Sequence, residues 1–167
     1  MKTKIRKTEA IAIKVYPYSK TSRIVTWLSR DYGTIKTILK GAMRPRSSFI
    51  GQFDLFCTTE LIFYLKSSHD LFTGKECSIL LPRESLRNNW RSIFIASYIC
   101  ELINRSSTFA IFPQTSMYQT LSQTLDYLSN SPPTFSLLFW FELRLLEENG
   151  IFPLMDVCFK CRQAMDL

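Results

Sequence analysis

The hydrophobic pattern changes period near Pro82. Before it, apolar positions alternate with polar or small ones; after it, they recur at steps of three and four. In TEAIAIKVY (8–16), Ile11, Ile13 and Val15 alternate with Ala10, Ala12 and Lys14, which predicts a strand. RIVTWL (23–28) is β-branched and aromatic and predicts a second. Asp31-Tyr32-Gly33 marks a turn. TIKTILK (34–40) puts Ile35, Thr37 and Leu39 on one face and Lys36, Ile38 and Lys40 on the other, a third strand with a basic outer side. FDLFCTTELIFYL (53–65) predicts a long fourth strand, KSSHD a loop, and LFTGKECSIL (71–80) a fifth strand. Five short strands in about 80 residues point to a small closed barrel, of which the OB-fold is the commonest five-stranded form.

Beyond Pro82, Leu86, Trp90, Ile93, Phe94, Ile99, Leu102 and Ile103 keep helical spacing and predict a helix over 84–105. Met117, Tyr118, Leu121, Leu125 and Leu128 do the same behind a Thr115/Ser116 cap signal. Pro132-Pro133 separates these from a third helix over 134–149. That helix is apolar nearly all round and is therefore expected at the centre of its domain, with Arg144 and Glu148 paired on its one polar face. Gly150 and Pro153 end it. The expected fold is segregated α+β: an OB-fold over 1–81 that binds nucleic acid, then a small all-helical domain over 82–167.

Charge sharpens the division. Residues 1–80 carry 14 Lys and Arg against 6 Asp and Glu, a net +8, while residues 81–167 carry 7 against 8. The first 46 residues alone hold 12 cations and only Glu9 and Asp31 as acids. One half of the chain is thus suited to a polyanion and the other is not. The 13 Phe suffice for a real core. No apolar run approaches the roughly 20 residues of a membrane span, since 135–146 is interrupted by Glu142 and Arg144. MKTKIRKTEA has no apolar stretch behind its cations, so no secretory signal is expected and a cytoplasmic location is. Five Cys at irregular spacing fit reduced thiols better than a disulfide framework.

Catalytic signatures are sparse. His69, the only histidine, sits in a polar loop, where solvation is the ordinary role. No pair of carboxylates lies in an apolar setting that would tune one as an acid, and no Walker or dinucleotide loop occurs. The acids of the basic half are scattered, unlike those of a metal nuclease. A binding protein is expected rather than an enzyme. Single-strand binding asks for a cationic groove with aromatic platforms. VYPYSKTSR (15–23) supplies Tyr16, Tyr18, Lys20 and Arg23, the third strand adds Lys36 and Lys40, and LKGAMRPRSS (39–48) adds Arg44 and Arg46. Gly41 lets that turn bend and Pro45 stiffens it. For Trp27 and Tyr16, core packing is the competing role. Cys158 and Cys161 form a C-x-x-C, half of a zinc ribbon or knuckle, and a closed site needs four ligands. Cys57, Cys77 and Cys100 are expected as core thiols.

These pieces, in order, resemble the RecO family of bacterial recombination mediators. The matching features are Tyr18, Ser22, Ile24, Gly33, the Lys40-Gly41 to Arg44-Pro45 turn, and Gln52-Phe53 before the fourth strand, where Asp54 replaces the family's Pro. ENGIFPLMDVCFKC (148–161) is similar to the family's helix end and first Cys pair. The resemblance implies an OB-fold followed by a helical domain, with zinc bound in some members once a second Cys pair is supplied. It implies binding of single- and double-stranded DNA, strand annealing, and loading of the RecA recombinase with RecR and, in some pathways, RecF. DNA coated by single-strand-binding protein, with its acidic tail, is the implied substrate. Nucleoid association follows from those roles. Members usually continue past the first Cys pair, which leaves the zinc site here incomplete. Three other readings stand beside this one: an RNA-binding OB-fold factor, a protein-docking adaptor, and a metal-dependent nuclease.

Overall fold

A computed structural model describes residues 4–65, 71–106, 113–152 and 160–161. The strands are β1 (Lys4–Pro17), β2 (Arg23–Ser29), β3 (Gly33–Leu39), β4 (Thr58–Leu65) and β5 (Leu71–Leu81). They close into a barrel in the order β1-β2-β3-β5-β4, with β4 returning to β1. All pairings are antiparallel except β3 with β5, where Lys36–Ile38 run beside Leu71–Thr73. Closure gives every strand a neighbour on both sides over at least part of its length. A short 3₁₀ turn (Glu84–Asn88) follows, then α1 (Trp90–Ser106), α2 (Thr115–Asn130) and α3 (Phe135–Glu148).

The alternation read from the sequence sorts into two cores. Ala10, Ala12, Val25, Trp27, Ile35, Leu39, Leu61, Phe63 and Phe72 point into the barrel. Small alanines on β1 make room there for the wholly buried Trp27, whose Nε1–H donates to Thr37 Oγ1 at 2.8 Å, so the indole carries no orphan donor. The opposite faces carry Ile11, Ile13 and Leu28 outward, against Ala96, Ile99 and Ile103 of α1 and Leu121, Leu125 and Leu128 of α2. A bulge between Ala12 and Lys14 resets β1, so that Val15 turns toward the barrel core and Lys14 and Tyr16 turn out.

Arg83 clasps the barrel to the helices. It sits in the left-handed region at φ 49°, with its side chain only 2% exposed. The guanidinium donates to Asp126 Oδ1 at 2.7 Å, Phe56 O at 2.8 Å, Thr58 Oγ1 at 2.9 Å and Ser122 Oγ at 2.8 Å. One side chain thereby joins the start of β4 to the middle of α2. Phe56, also left-handed at φ 71°, is held by Arg83 at its carbonyl and by Ala12 O at its N–H, 3.0 Å away. A bulky residue in that region is strained and persists only where neighbours fix it.

Five expectations need correction. The fourth strand starts at Thr58, not Phe53: Phe49 and Phe53 turn into the barrel mouth as a plug, and Phe56 is left-handed. The first helical stretch is a 3₁₀ turn and an α-helix, separated at Asn89. The α3 helix is peripheral. Only Phe141 is buried, while Phe135 is 81% exposed and Phe139, Leu143 and Leu146 also face out. Its apolar circumference reflects composition, not burial. On its polar side Arg144 pairs with Glu147 at 2.8 Å, and Glu148 reaches Ser116 Oγ instead. Gln114, not Thr115 or Ser116, is the N-cap of α2. Cys57, Cys77 and Cys100 are buried as expected, and burial pushes the Cys77 and Cys100 thiols up to about 12, so both stay protonated.

Candidate nucleic-acid interface

Two loops meet at one end of the barrel, where Pro17, Arg23 and Leu39 stand in register across β1, β2 and β3. The first joins β1 to β2 and folds on itself: Tyr18 N–H and Ser19 N–H donate to Ser22 O at 3.2 and 3.4 Å, and Ser22 N–H donates to Ser19 Oγ at 3.1 Å. The second runs from Lys40 to Cys57. It is anchored inside the barrel by Ala42, Phe49 and Phe53, and by Gln52 Oε1 accepting from Ile79 N–H at 2.9 Å. The loops are then tied to each other. Met43 N–H donates to Thr21 O at 2.9 Å and Gly41 N–H to Ser22 Oγ at 3.2 Å. Cations separated by some twenty positions in sequence are brought to one surface by these bonds.

On that surface Tyr18 is 60% exposed, and Lys20, Lys40, Arg44 and Arg46 are exposed. Among the described residues no carboxylate lies within ion-pair distance of these four cations. The expected residues are not all equivalent. Arg23 is half-buried and its guanidinium donates to Ser19 O and Ser22 O at 3.3 and 3.0 Å, which makes it a brace for the first loop. Lys36 lies further down β3 on the outer face, half-buried and in register with Thr26. Tyr16 is half-buried on the same face, beside Ile24, with Lys14 Nζ 5.3 Å from its ring centroid. It is neither barrel core nor fully free.

Gly41 fixes the approach of the second loop. Its φ of +69° is left-handed, and a Cβ there would stand 3.3 Å from Arg44 Cδ and Nε. Gly41→Ala is expected to cost about 1 kcal/mol from the backbone alone. It also displaces the Arg44 side chain. The expected outcome is a few degrees' loss in thermal unfolding, checked on the purified variant.

Sequence reasoning passed over Lys14 as a strand residue. Its Nζ meets Glu101 Oε2 of α1 at 2.8 Å, and Arg105 Nε holds Glu101 Oε1 at 2.8 Å. The Lys14 hydrogen bond, reinforced by Arg105, pulls Glu101 below the ordinary carboxylate value, and Glu101 holds Lys14 above the ordinary lysine value. A lowered acid stabilises the fold above its unfolded pKa and loses that contribution as pH falls through its folded value. This brace therefore weakens in acid, as the pH falls past the ordinary carboxylate value toward the lowered value of Glu101. Because both partners are about one-third exposed, Glu101→Gln should cost no more than about 0.5 kcal/mol at neutral pH by urea unfolding, and less as the pH is lowered. The signal in the sequence was the lysine interrupting the apolar run at the bulge.

Cys161 is exposed, Cys158 lies outside the described residues, and so does His69. Among the described residues no three His, Cys, Asp or Glu side chains come together as ligands. Among them, too, no helix is long and apolar enough to cross a membrane.

The architecture is that of an oligonucleotide-binding barrel with a helical appendage, its basic loops at one end. Comparison with known proteins agrees: residues 1–83 match the family described as Recombination protein O N terminal, and residues 87–167 match Recombination protein O C terminal. The chain belongs to the RecO family. It is similar to the DNA repair protein RecO of Syntrophus aciditrophicus, 27% identical over 160 residues, covering 96% of this chain and 61% of that protein. It resembles that of Dehalococcoides mccartyi at 30% over 165 residues, 95% and 62% of the two chains. Against that of Bacillus pumilus the identity is 29% over 159 residues, 94% and 60%. The chain thus spans about three fifths of the length of these relatives.

Proposed function

We propose that this chain binds single-stranded DNA at the loop end of the barrel and acts in DNA repair as a recombination mediator. One observation carries the reading: two hydrogen-bonded loops present Tyr18, Lys20, Lys40, Arg44 and Arg46 together, exposed, with no carboxylate in pairing range among the described residues. Cations neutralise phosphates and release counterions, and an exposed tyrosine offers a face for a base. Arg23 supports the first loop and Lys36 extends the basic surface down β3. Residues 1–81 form the binding unit and residues 82–167 the unit that meets proteins.

Such a surface favours annealing. It screens two backbones while base pairing supplies the free energy, and no covalent step is needed, so the protein works without enzymatic chemistry. Membership of the RecO family supports further roles for the complete protein. It would bind double-stranded DNA as well, act with RecR and in some pathways RecF, engage the acidic tail of single-strand-binding protein, and deliver RecA to DNA in the cytoplasm at the nucleoid. The test is annealing of two complementary labelled strands. The expected result is acceleration over the protein-free rate, lost in Arg44→Ala/Arg46→Ala. Cleavage of the strands with magnesium or manganese, or much tighter binding to RNA of the same sequence, would overturn the reading in favour of a nuclease or an RNA-binding factor.

A further inference from the structure

Below the loop end, the outer face of the barrel carries a second cationic row. Lys14 on β1, Thr26 on β2 and Lys36 on β3 stand in cross-strand register. Residues directly opposite one another on neighbouring strands share a face. The next row toward the loops holds Tyr16, Ile24 and Ile38, also in register. The row beyond Lys14, with Ile11 and Leu28, is covered by α1 and α2. The Lys14 row is therefore where the sheet face leaves the basic loops and meets the helices.

Two features of this row call for an anion. Thr26 is fully buried, yet its hydroxyl has no hydrogen-bond partner. Most buried hydroxyls avoid this cost. Beside it Lys14 does have an anionic partner, but one borrowed from the other half of the molecule: Glu101 of α1, at 2.8 Å. Glu101 is in turn held by Arg105. A carboxylate is thus held between two cations, and the lysine that holds it stands opposite the unused hydroxyl, one row below the basic loops.

We propose that Lys14 and Thr26 form a phosphate subsite for nucleic acid on the outer face of β1 and β2, which Glu101 of α1 occupies in the unbound protein. The inference rests on the reading that the loop end binds single-stranded DNA, and extends that track toward the helices. A strand long enough to leave the loops displaces Glu101 from Lys14, and its phosphate accepts from the Lys14 ammonium and the Thr26 hydroxyl. Glu101 thus limits how far down the sheet a strand is gripped and couples the helical domain to DNA occupancy.

The experiment is binding of fluorescent single-stranded DNA across a salt series by the wild type, Glu101→Gln, Lys14→Ala, and Lys14→Ala/Glu101→Gln. Glu142→Gln on α3 controls for the loss of one negative charge, and thermal unfolding confirms that each variant is folded. Glu101→Gln should bind about fivefold more tightly at low salt, with a slope steeper by about 0.7, the value for one more phosphate of a single strand. Made in the Lys14→Ala background, the same substitution should give no gain, and Glu142→Gln should give none either. A wild type that binds with an unchanged slope in Glu101→Gln overturns the subsite and leaves the loop-end interface standing. A gain that survives removal of Lys14 also overturns it, by assigning the effect to Arg105 or to net charge. A wild type that fails to bind DNA at all overturns the interface, and the subsite with it.

Discussion

Replacing Arg83 with alanine should lower the free energy of unfolding by about 3 kcal/mol. The guanidinium is 2% exposed and its loss strands the Phe56 carbonyl and the Thr58 hydroxyl, both buried at the junction. Asp126 is 46% exposed and recovers water, which keeps the cost below that of a wholly buried pair. The Phe56 backbone also loses one of the bonds that hold it left-handed, so part of its strain is released into the loop that carries the plug. The expected shift in thermal midpoint is roughly 6–12 °C for a chain of this size. Arg83→Lys should recover little, because one ammonium cannot reach four acceptors spread over β4 and α2. Urea unfolding measures it, and a loss below about 1 kcal/mol would mean that the two halves are held chiefly by contacts other than the Arg83 clasp.

The second large effect is on binding. Reversing Lys40, Arg44 and Arg46 to glutamate should weaken binding to single-stranded DNA by at least about 100-fold near 0.1 M salt, because three phosphate partners become three repulsions. The same variant should unfold within a few degrees of the wild type. All three side chains are exposed, and none holds an ion pair among the described residues. The anchors of the loop, Ala42, Phe49, Gln52 and Phe53, are untouched. Binding within a few-fold of wild type would place the DNA elsewhere on the molecule.

The barrel was legible because each strand keeps one face for the interior. Trp27, Ile35 and Leu39 fall inside as their alternation requires. The start of β4 was not, because FDLFC has the composition of a strand while its aromatics plug the barrel mouth and Phe56 turns left-handed. The α3 helix was misplaced for a related reason: an apolar circumference measures hydrophobicity, and burial depends on what packs against it. At the loop end, charge and turn chemistry singled out cations that the structure leaves exposed, but not their convergence. That depends on the Met43–Thr21 and Gly41–Ser22 hydrogen bonds, which join segments some twenty positions apart. Arg83 carried no signal at all, since an arginine after Pro82 reads as a solvated linker residue, and only the fold buries it.

The most direct test of the interface is the salt dependence of single-stranded DNA binding, measured by fluorescence anisotropy for the wild type and for Arg44→Ala/Arg46→Ala. The wild type should show a steep linear fall of log affinity with log salt. The double variant should bind more weakly, with a slope shallower by about 1.4, the contribution of two single-strand phosphates. Equal slopes and equal affinities would contradict the account, because the exposed arginines of the second loop would then meet something other than a DNA backbone.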